Sequence, residues 1–220
     1  MSVTPAAVVF DLDGTLIDSL PAIRRGFDAV ADALDLPRPD RATAQGFVGA
    51  GVPAAMERML RWAGADPGLH GRAVALMLDA YGRVPHDANT VYPGVRDVLA
   101  ALADRGVPIG LCTNKPRAPT EAVVAALGLG PFAVVACGDD PGPRKPDPAP
   151  LLRCCAALGA AAGDALYVGD SEVDHATAAA AGVPFALFEG GYLNAPLGAP
   201  DPAMRLSRMG ELAALAGATG

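Results

Sequence analysis

Lysine is almost missing from this 220-residue chain. Of its 17 basic side chains only Lys115 and Lys145 are lysine, and the other fifteen are arginine. An ammonium is a compact point charge and a guanidinium a bulky planar fork, so the two are not interchangeable. Both lysines fall inside short polar stretches, Thr113-Asn114-Lys115-Pro116 and Lys145-Pro146-Asp147-Pro148. An excess of positive charge is missing too: the formal net charge is -7. Phosphate-backbone binding needs a basic face, so nucleic acid is excluded as a partner. No apolar run reaches the roughly 18 residues a membrane span requires, so no membrane is expected either. The opening Met1-Ser2-Val3-Thr4-Pro5 lacks the charged region of a signal peptide, so the first apolar run reads as a strand. Histidines His70, His86 and His175 are too scattered for a zinc site. Cys112, Cys137, Cys154 and Cys155 have no CxxC spacing or paired framework, which points to reduced, buried thiols in a cytoplasmic protein.

What is present is globular: 51% hydrophobic and 19% charged residues. The length suits one large domain, or a core with a smaller insertion. An apolar strand at Ala6–Phe10 is followed by a helical period at Leu20, Ile23, Phe27, Val30 and Leu34. Segments 41–47, 52–63 and 68–82 also read as helices, separated by proline- and glycine-rich breaks, and no convincing strand lies between Asp18 and Asp87. From Val91 the rhythm alternates: helix 94–105, strand 107–112, helix 117–128, strand 133–136, helix 148–158, strand 165–168, helix 172–181, strand 183–187. Gly190 to Pro202 reads as loop, and the stretch from Ser207 as a short closing helix. The expected fold is α/β, a doubly wound parallel sheet, with residues 1–17 and 89–220 forming the core and 18–88 an inserted all-helical cap.

The densest chemical signal is Asp11-Leu12-Asp13-Gly14-Thr15, directly after the first strand. Carboxylates at i and i+2 share one side of a strand end. One can act as nucleophile while the other hands protons to and from a leaving oxygen. Backbone amides of Leu12-Asp13-Gly14 are candidates for an anion nest. Thr113 and Asp170 also follow predicted strands directly, which places them at the same sheet edge. Taken alone, Thr113-Asn114 is an ordinary helix cap and Lys145-Pro146 a surface loop.

In order and company these stretches resemble the four motifs of haloacid dehalogenase (HAD) superfamily phosphatases. The resemblance makes Asp11 the nucleophile and Asp13 the acid/base. Thr113 and the Asn114 amide would hold the phosphoryl group, and Lys145 would offset its charge. Gly169-Asp170-Ser171-Glu172-Val173-Asp174 resembles the fourth motif. Mg²⁺ prefers oxygen ligands, few carboxylates and several waters, which the carboxylates of Asp11 and Asp170 and the carbonyl of Asp13 would supply. Asp174, one turn on, would orient a metal water or Lys145. Further segments, among them Gly49–Arg58, Cys137-Gly138-Asp139-Asp140 and Gly190-Gly191-Tyr192, are similar to bacterial phosphoglycolate phosphatases. The resemblance implies a Mg²⁺-dependent phosphomonoester hydrolase acting through an aspartyl-phosphate on a small ester, 2-phosphoglycolate, as a monomer or homodimer. On the insert, Gly49, Gly51 and Arg58 are the candidate substrate contacts, Arg58 for the carboxylate; its alternative is an exposed arginine paired with a nearby acid. The proline-rich run Asp140–Arg144 fits no family pattern.

Other HAD chemistries fit less well. A dehalogenase does not keep a second aspartate at the Asp13 position. A phosphonate hydrolase needs a cap lysine, and none lies in 18–88. A phosphoglucomutase-like isomerase has a histidine early in the cap, where this chain has Ile23. A catalytically silent binding protein would not need all four motif positions chemically competent.

Overall fold

The computed structural model describes residues 4–83 and 88–214. Strand β1 (Ala7–Phe10) is buried along its whole length, as a central strand covered on both faces must be. It pairs in parallel with β4 (Ile109–Cys112) on one side and β6 (Ala165–Gly169) on the other. β5 (Val134–Ala136) extends the sheet beyond β4, and β7 (Phe185–Phe188) and β8 (Met204–Leu206) extend it beyond β6, all in parallel. The order is therefore β5-β4-β1-β6-β7-β8. Connections run opposite ways from β1, which opens a crevice at the carboxyl ends of the central strands. Helices α5 (Val95–Asp104), α6 (Arg117–Leu127), α7 (Ala149–Ala157) and α8 (Glu172–Ala181) link the strands. Two buried clusters sandwich the sheet, one around Phe10, Leu111 and Val168, the other around Val9, Leu151 and Tyr167.

Between β1 and β4 the chain makes a second sheet, a short antiparallel ribbon of β2 (Ile17–Asp18) and β3 (Thr90–Val91). Four helices lie between those strands: α1 (Leu20–Leu34), α2 (Arg41–Phe47), α3 (Val52–Trp62) and α4 (His70–Arg83). The α1 face Leu20, Ile23, Phe27 and Val30 packs with Met56, Met59 and Met77 in a cluster that Tyr192 joins from the far end of the chain. Proline near its N-terminus starts α1, and Asp35 ends it in a left-handed conformation, φ 53°. Asp40 caps α2 by accepting from the Thr43 amide at 2.8 Å.

The sequence reading differs from this in places. The β2–β3 ribbon and β8 were not anticipated, because two- and three-residue strands leave no run long enough to show alternation. Met209–Ala214 forms a 3-10 helix; the rest of the expected closing helix, the end of the insert near residue 87, and His86 lie outside the described residues. No helix among the described residues is long and apolar enough to cross a membrane.

Candidate active site

Asp11 follows β1, and the backbone leaves the strand with its amide still donating to Val168 at 2.9 Å. Thr113 follows β4, and Asp170 follows β6. These are the three central neighbours of the sheet, so their ends bring Asp11, Thr113 and Asp170 to one cavity, which Asp13 also lines. Gly14 turns the chain at φ +90°, and a Cβ there would collide with the Asp170 carboxylate and the Tyr192 ring. Its amide donates to the Ile17 carbonyl at 2.8 Å, so this member of the expected anion nest serves the turn itself.

Lys145, from the loop between β5 and α7, is 3% exposed. Its ammonium reaches Asp11 Oδ1 at 2.9 Å, Asp174 Oδ1 at 2.7 Å and the Tyr167 hydroxyl at 2.9 Å. Hydrogen bonds run to Asp174 and Tyr167, while Asp11 is held as an ion pair whose Oδ1 accepts no hydrogen bond. Burial opposes that charge, but attraction to Asp11 and Asp174 outweighs it and raises the ammonium's pKa. Asp174 belongs to a capping box with Ser171 at the start of α8. Its second oxygen accepts from the Ser171 hydroxyl at 2.6 Å and from two backbone amides. Burial works against its ionised form, yet Lys145, Ser171 and Tyr167 together hold its pKa low.

Asp11 is under opposite pressure. Desolvation pushes it up to about 7, with Lys145 pulling down and Asp174 and Asp13 pushing further up. Asp170 is raised well above a normal carboxyl, first by burial, then by Asp174 and Asp11. Its oxygens accept from the Thr15 hydroxyl at 2.7 Å and the Tyr192 amide at 2.6 Å, which fixes its orientation. Asp11, Asp170 and Asp174 offer carboxylate oxygens within 4.8 Å of one another. Such a concentration of buried negative charge fits a divalent metal ion. Each Asp170 oxygen accepts a single donor and keeps a lone pair, whereas Asp174 Oδ1 accepts from Lys145 and Tyr167 and Oδ2 from Ser171 and two amides, which leaves Asp11 and Asp170 as the carboxylates able to serve as ligands.

Other expected residues are distributed unevenly. Asn114 lines the cavity, and its amide nitrogen donates to the Gly49 and Lys145 carbonyls at 3.0 Å each, tying the helical insert to the sheet edge. Gly49 and Gly51 also line it; Gly51, at φ +84°, starts α3. Arg58 does not line the cavity. Its Nη1 donates to the Phe47 and Val48 carbonyls at 3.3 Å and to Gly46 at 3.5 Å, closing off the end of α2. Unsatisfied carbonyls at a helix end attract a cation, and the α2 terminus lies on the side of α3 that carries Arg58. The expected carboxylate contact through Arg58 therefore finds no place in this geometry.

The sequence gives no task to Lys115 and does not point to Tyr81 at all. Lys115 Nζ contacts both oxygens of Asp13, at 3.0 and 3.2 Å, and hydrogen-bonds the hydroxyl of Tyr81 on α4. The rarity of lysine had marked Lys115 without giving it a task. Tyr81 carries no local signal at all, since only tertiary packing brings it over the sheet edge. The insert's remaining contribution is apolar: Ile23, Phe27, Val48, Val52, Ala55 and Met77 close the cavity, whose volume is about 70 Å³.

A parallel α/β sheet with nucleophile-competent carboxylates at its carboxyl edge and a helical insert above them defines a hydrolase of the HAD type. Residues 5–182 match the haloacid dehalogenase-like hydrolase family, and the chain belongs to it. It is 41% identical over 200 residues to the phosphoglycolate phosphatase of Rhodospirillum rubrum, covering 88% of this chain and 83% of that one. With the phosphoglycolate phosphatase of Yersinia pestis it shares 38% over 180 residues, 80% and 78% of the two chains. Among solved structures, one described as a predicted phosphoglycolate phosphatase from Haemophilus somnus 129PT superposes with a TM-score of 0.86 at 25% identity, covering 96% and 97% of the two chains.

Proposed function

We propose that this chain is a Mg²⁺-dependent phosphomonoesterase that hydrolyses 2-phosphoglycolate to glycolate and phosphate through an aspartyl-phosphate on Asp11, in the cytoplasm. The observation that carries the reading is the Asp11 carboxylate, held at the end of β1 between Lys145 and the Asp170 cluster, with Asp13 beside it on the cavity wall. Relatives named phosphoglycolate phosphatase, aligned over most of the chain, support the choice of ester.

In this reading an Asp11 oxygen attacks phosphorus, and the P–O bond to the leaving alkoxide breaks. Asp13 gives that alkoxide its proton. It then takes a proton from the water that attacks phosphorus and frees Asp11 as a carboxylate. Thr113 and the backbone amide of Asn114 hold phosphoryl oxygens. Lys145 pulls Asp11 toward its anionic form against its burial and offsets charge on the phosphoryl group. Mg²⁺, carried by Asp11, Asp170 and the Asp13 carbonyl, would neutralise charge between nucleophile and phosphoryl oxygens. Residues 18–88 act as a cap over the core (1–17 and 89–220), excluding water while phosphorus is in transit.

The test is turnover of 2-phosphoglycolate with Mg²⁺, with EDTA, and in Asp11→Asn. Asparagine keeps the shape but cannot form the acyl phosphate. Activity that needs Mg²⁺ and vanishes in the variant is expected. Undiminished hydrolysis in EDTA, or in Asp11→Asn, refutes the mechanism. A wild-type enzyme that handles carboxylate-free esters as well as 2-phosphoglycolate refutes the substrate.

A further inference from the structure

Among the described residues the insert offers the cavity no cation. Every cavity-lining residue from α1–α4 and their loops is uncharged, and Arg58 is spent on α2. Lys145 is paired with Asp11 and Asp174 within the sheet edge and does not line the cavity. The remaining cation on the cavity wall is Lys115. It is 6% exposed, sits 4.3 Å from the Tyr81 ring centroid, and touches Asp13. Nothing in the proposed phosphoryl chemistry uses it. Burying an ammonium is costly and persists only where the charge is paired, and Asp13 supplies that pairing here.

From these contacts we infer that Lys115 and Tyr81 form the subsite that recognises a carboxylate on the substrate's leaving group, so that they, rather than Arg58, determine specificity. The inference rests on the phosphoglycolate reading and deepens it. Asp13 must meet the ester oxygen to protonate it, and Lys115 is the next group along the wall, 3.0 Å from Asp13. In 2-phosphoglycolate the carboxylate lies two carbons from that ester oxygen, so an ester placed for Asp13 presents its carboxylate to the neighbouring ammonium. Tyr81 accepts from Lys115, and among the described residues its own hydroxyl proton has no acceptor. Burial pushes that phenol up to about 12, so it remains a donor at neutral pH. A carboxylate thus meets one charged donor from the sheet edge and one neutral donor from the insert. An ester without a carboxylate gains none of this.

The experiment compares kcat/KM for 2-phosphoglycolate with that for ethyl phosphate, which has the same two-carbon length but no carboxylate, in wild type, Lys115→Gln and Tyr81→Phe. A lost charge-assisted hydrogen bond corresponds to a fall of roughly 10- to 100-fold in the ratio of the two values for Lys115→Gln, and a lost neutral donor to roughly 3- to 10-fold for Tyr81→Phe. Competitive inhibition by glycolate should weaken in both variants, relative to inhibition by inorganic phosphate. If Lys115 merely steadies Asp13, both esters suffer alike, the ratio stays at its wild-type value, and the inference is overturned. Tyr81→Phe keeps the ring and decides the matter where Lys115→Gln fails to fold. Failure of the phosphoglycolate reading shows itself separately, in a wild-type enzyme with no preference between the two esters, and it removes the inference with it.

Discussion

The two walls of the cavity are built on opposite principles. At the sheet edge Asp11, Asp170, Asp174 and Lys145 are each at least nine-tenths buried; Lys145 pairs with Asp11 and Asp174, and the Thr15 hydroxyl and Tyr192 amide hold Asp170. The insert wall is hydrocarbon, with Tyr81 supplying its hydroxyl. Polar groups buried together are expensive unless fully connected, so the charged wall tolerates little variation. An apolar wall needs only shape and volume. The chemistry is thus fixed by the rigid sheet, and discrimination falls to the seam where the two walls meet, at Asn114–Gly49 and Lys115–Tyr81.

The largest effect that separates the walls is expected at Asp13. Positioned acid/base catalysis is worth about 10²–10⁴-fold, so Asp13→Asn should lose kcat on that scale. The loss should shrink for p-nitrophenyl phosphate, whose leaving group needs no proton. Equal losses on good and poor leaving groups would remove Asp13 from proton transfer.

Lys145→Met comes next and should be felt in stability as well as rate. It leaves Asp11 and Asp174 buried without their cation, and breaking a buried pair in this way costs roughly 3–5 kcal/mol. Urea unfolding measures it. A variant as stable as wild type would show that the sheet-edge wall is less tightly coupled than its distances indicate.

Tyr192 joins the walls from behind. Its hydroxyl accepts from the Ser19 and Leu20 amides at 2.8 and 2.9 Å and donates to Asp18 at 2.7 Å, while its own amide holds Asp170. Tyr192→Phe leaves the Ser19 amide without its acceptor and the Leu20 amide with only Asp18 Oδ1 at 3.2 Å, at a cost of about 1–3 kcal/mol. Faster hydrogen exchange at Ser19 and Leu20 is the expected signature, and unchanged exchange there would show that Tyr192 does not anchor α1.

The smallest effect is expected at Arg58. Arg58→Ala should lower stability by about 1 kcal/mol through the exposed end of α2, and change kcat/KM for 2-phosphoglycolate and p-nitrophenyl phosphate in parallel. A selective loss on 2-phosphoglycolate would return the carboxylate contact to the insert and blur the division between the walls.

How much of this was legible in the sequence follows from how local each feature is. Asp11, Asp13 and Gly14 lie within four residues after an apolar strand, so their arrangement can be read directly from spacing. Thr113 and Asp170 were placed at the same edge because alternating strands and helices dictate a parallel sheet. Lys145, Tyr167 and Asp174 meet across up to 29 residues of chain, and spacing alone does not reveal that Tyr167 completes the set. Tyr81 and Lys115 are 34 residues apart, on different layers. β8 adds only three residues at the sheet's edge, too few to carry a pattern. Arg58 is illegible for a related reason: its helix can be recognised, but the helix end it satisfies is a matter of how α2 packs against α3.

The most direct test of the account is to quench the enzyme during turnover of 2-phosphoglycolate with Mg²⁺ and locate covalent phosphate by mass spectrometry. The account predicts a phosphoryl adduct on the peptide that contains Asp11, at Asp11 itself, and its disappearance in Asp11→Asn. An adduct on another residue, or sustained turnover in Asp11→Asn, would contradict it.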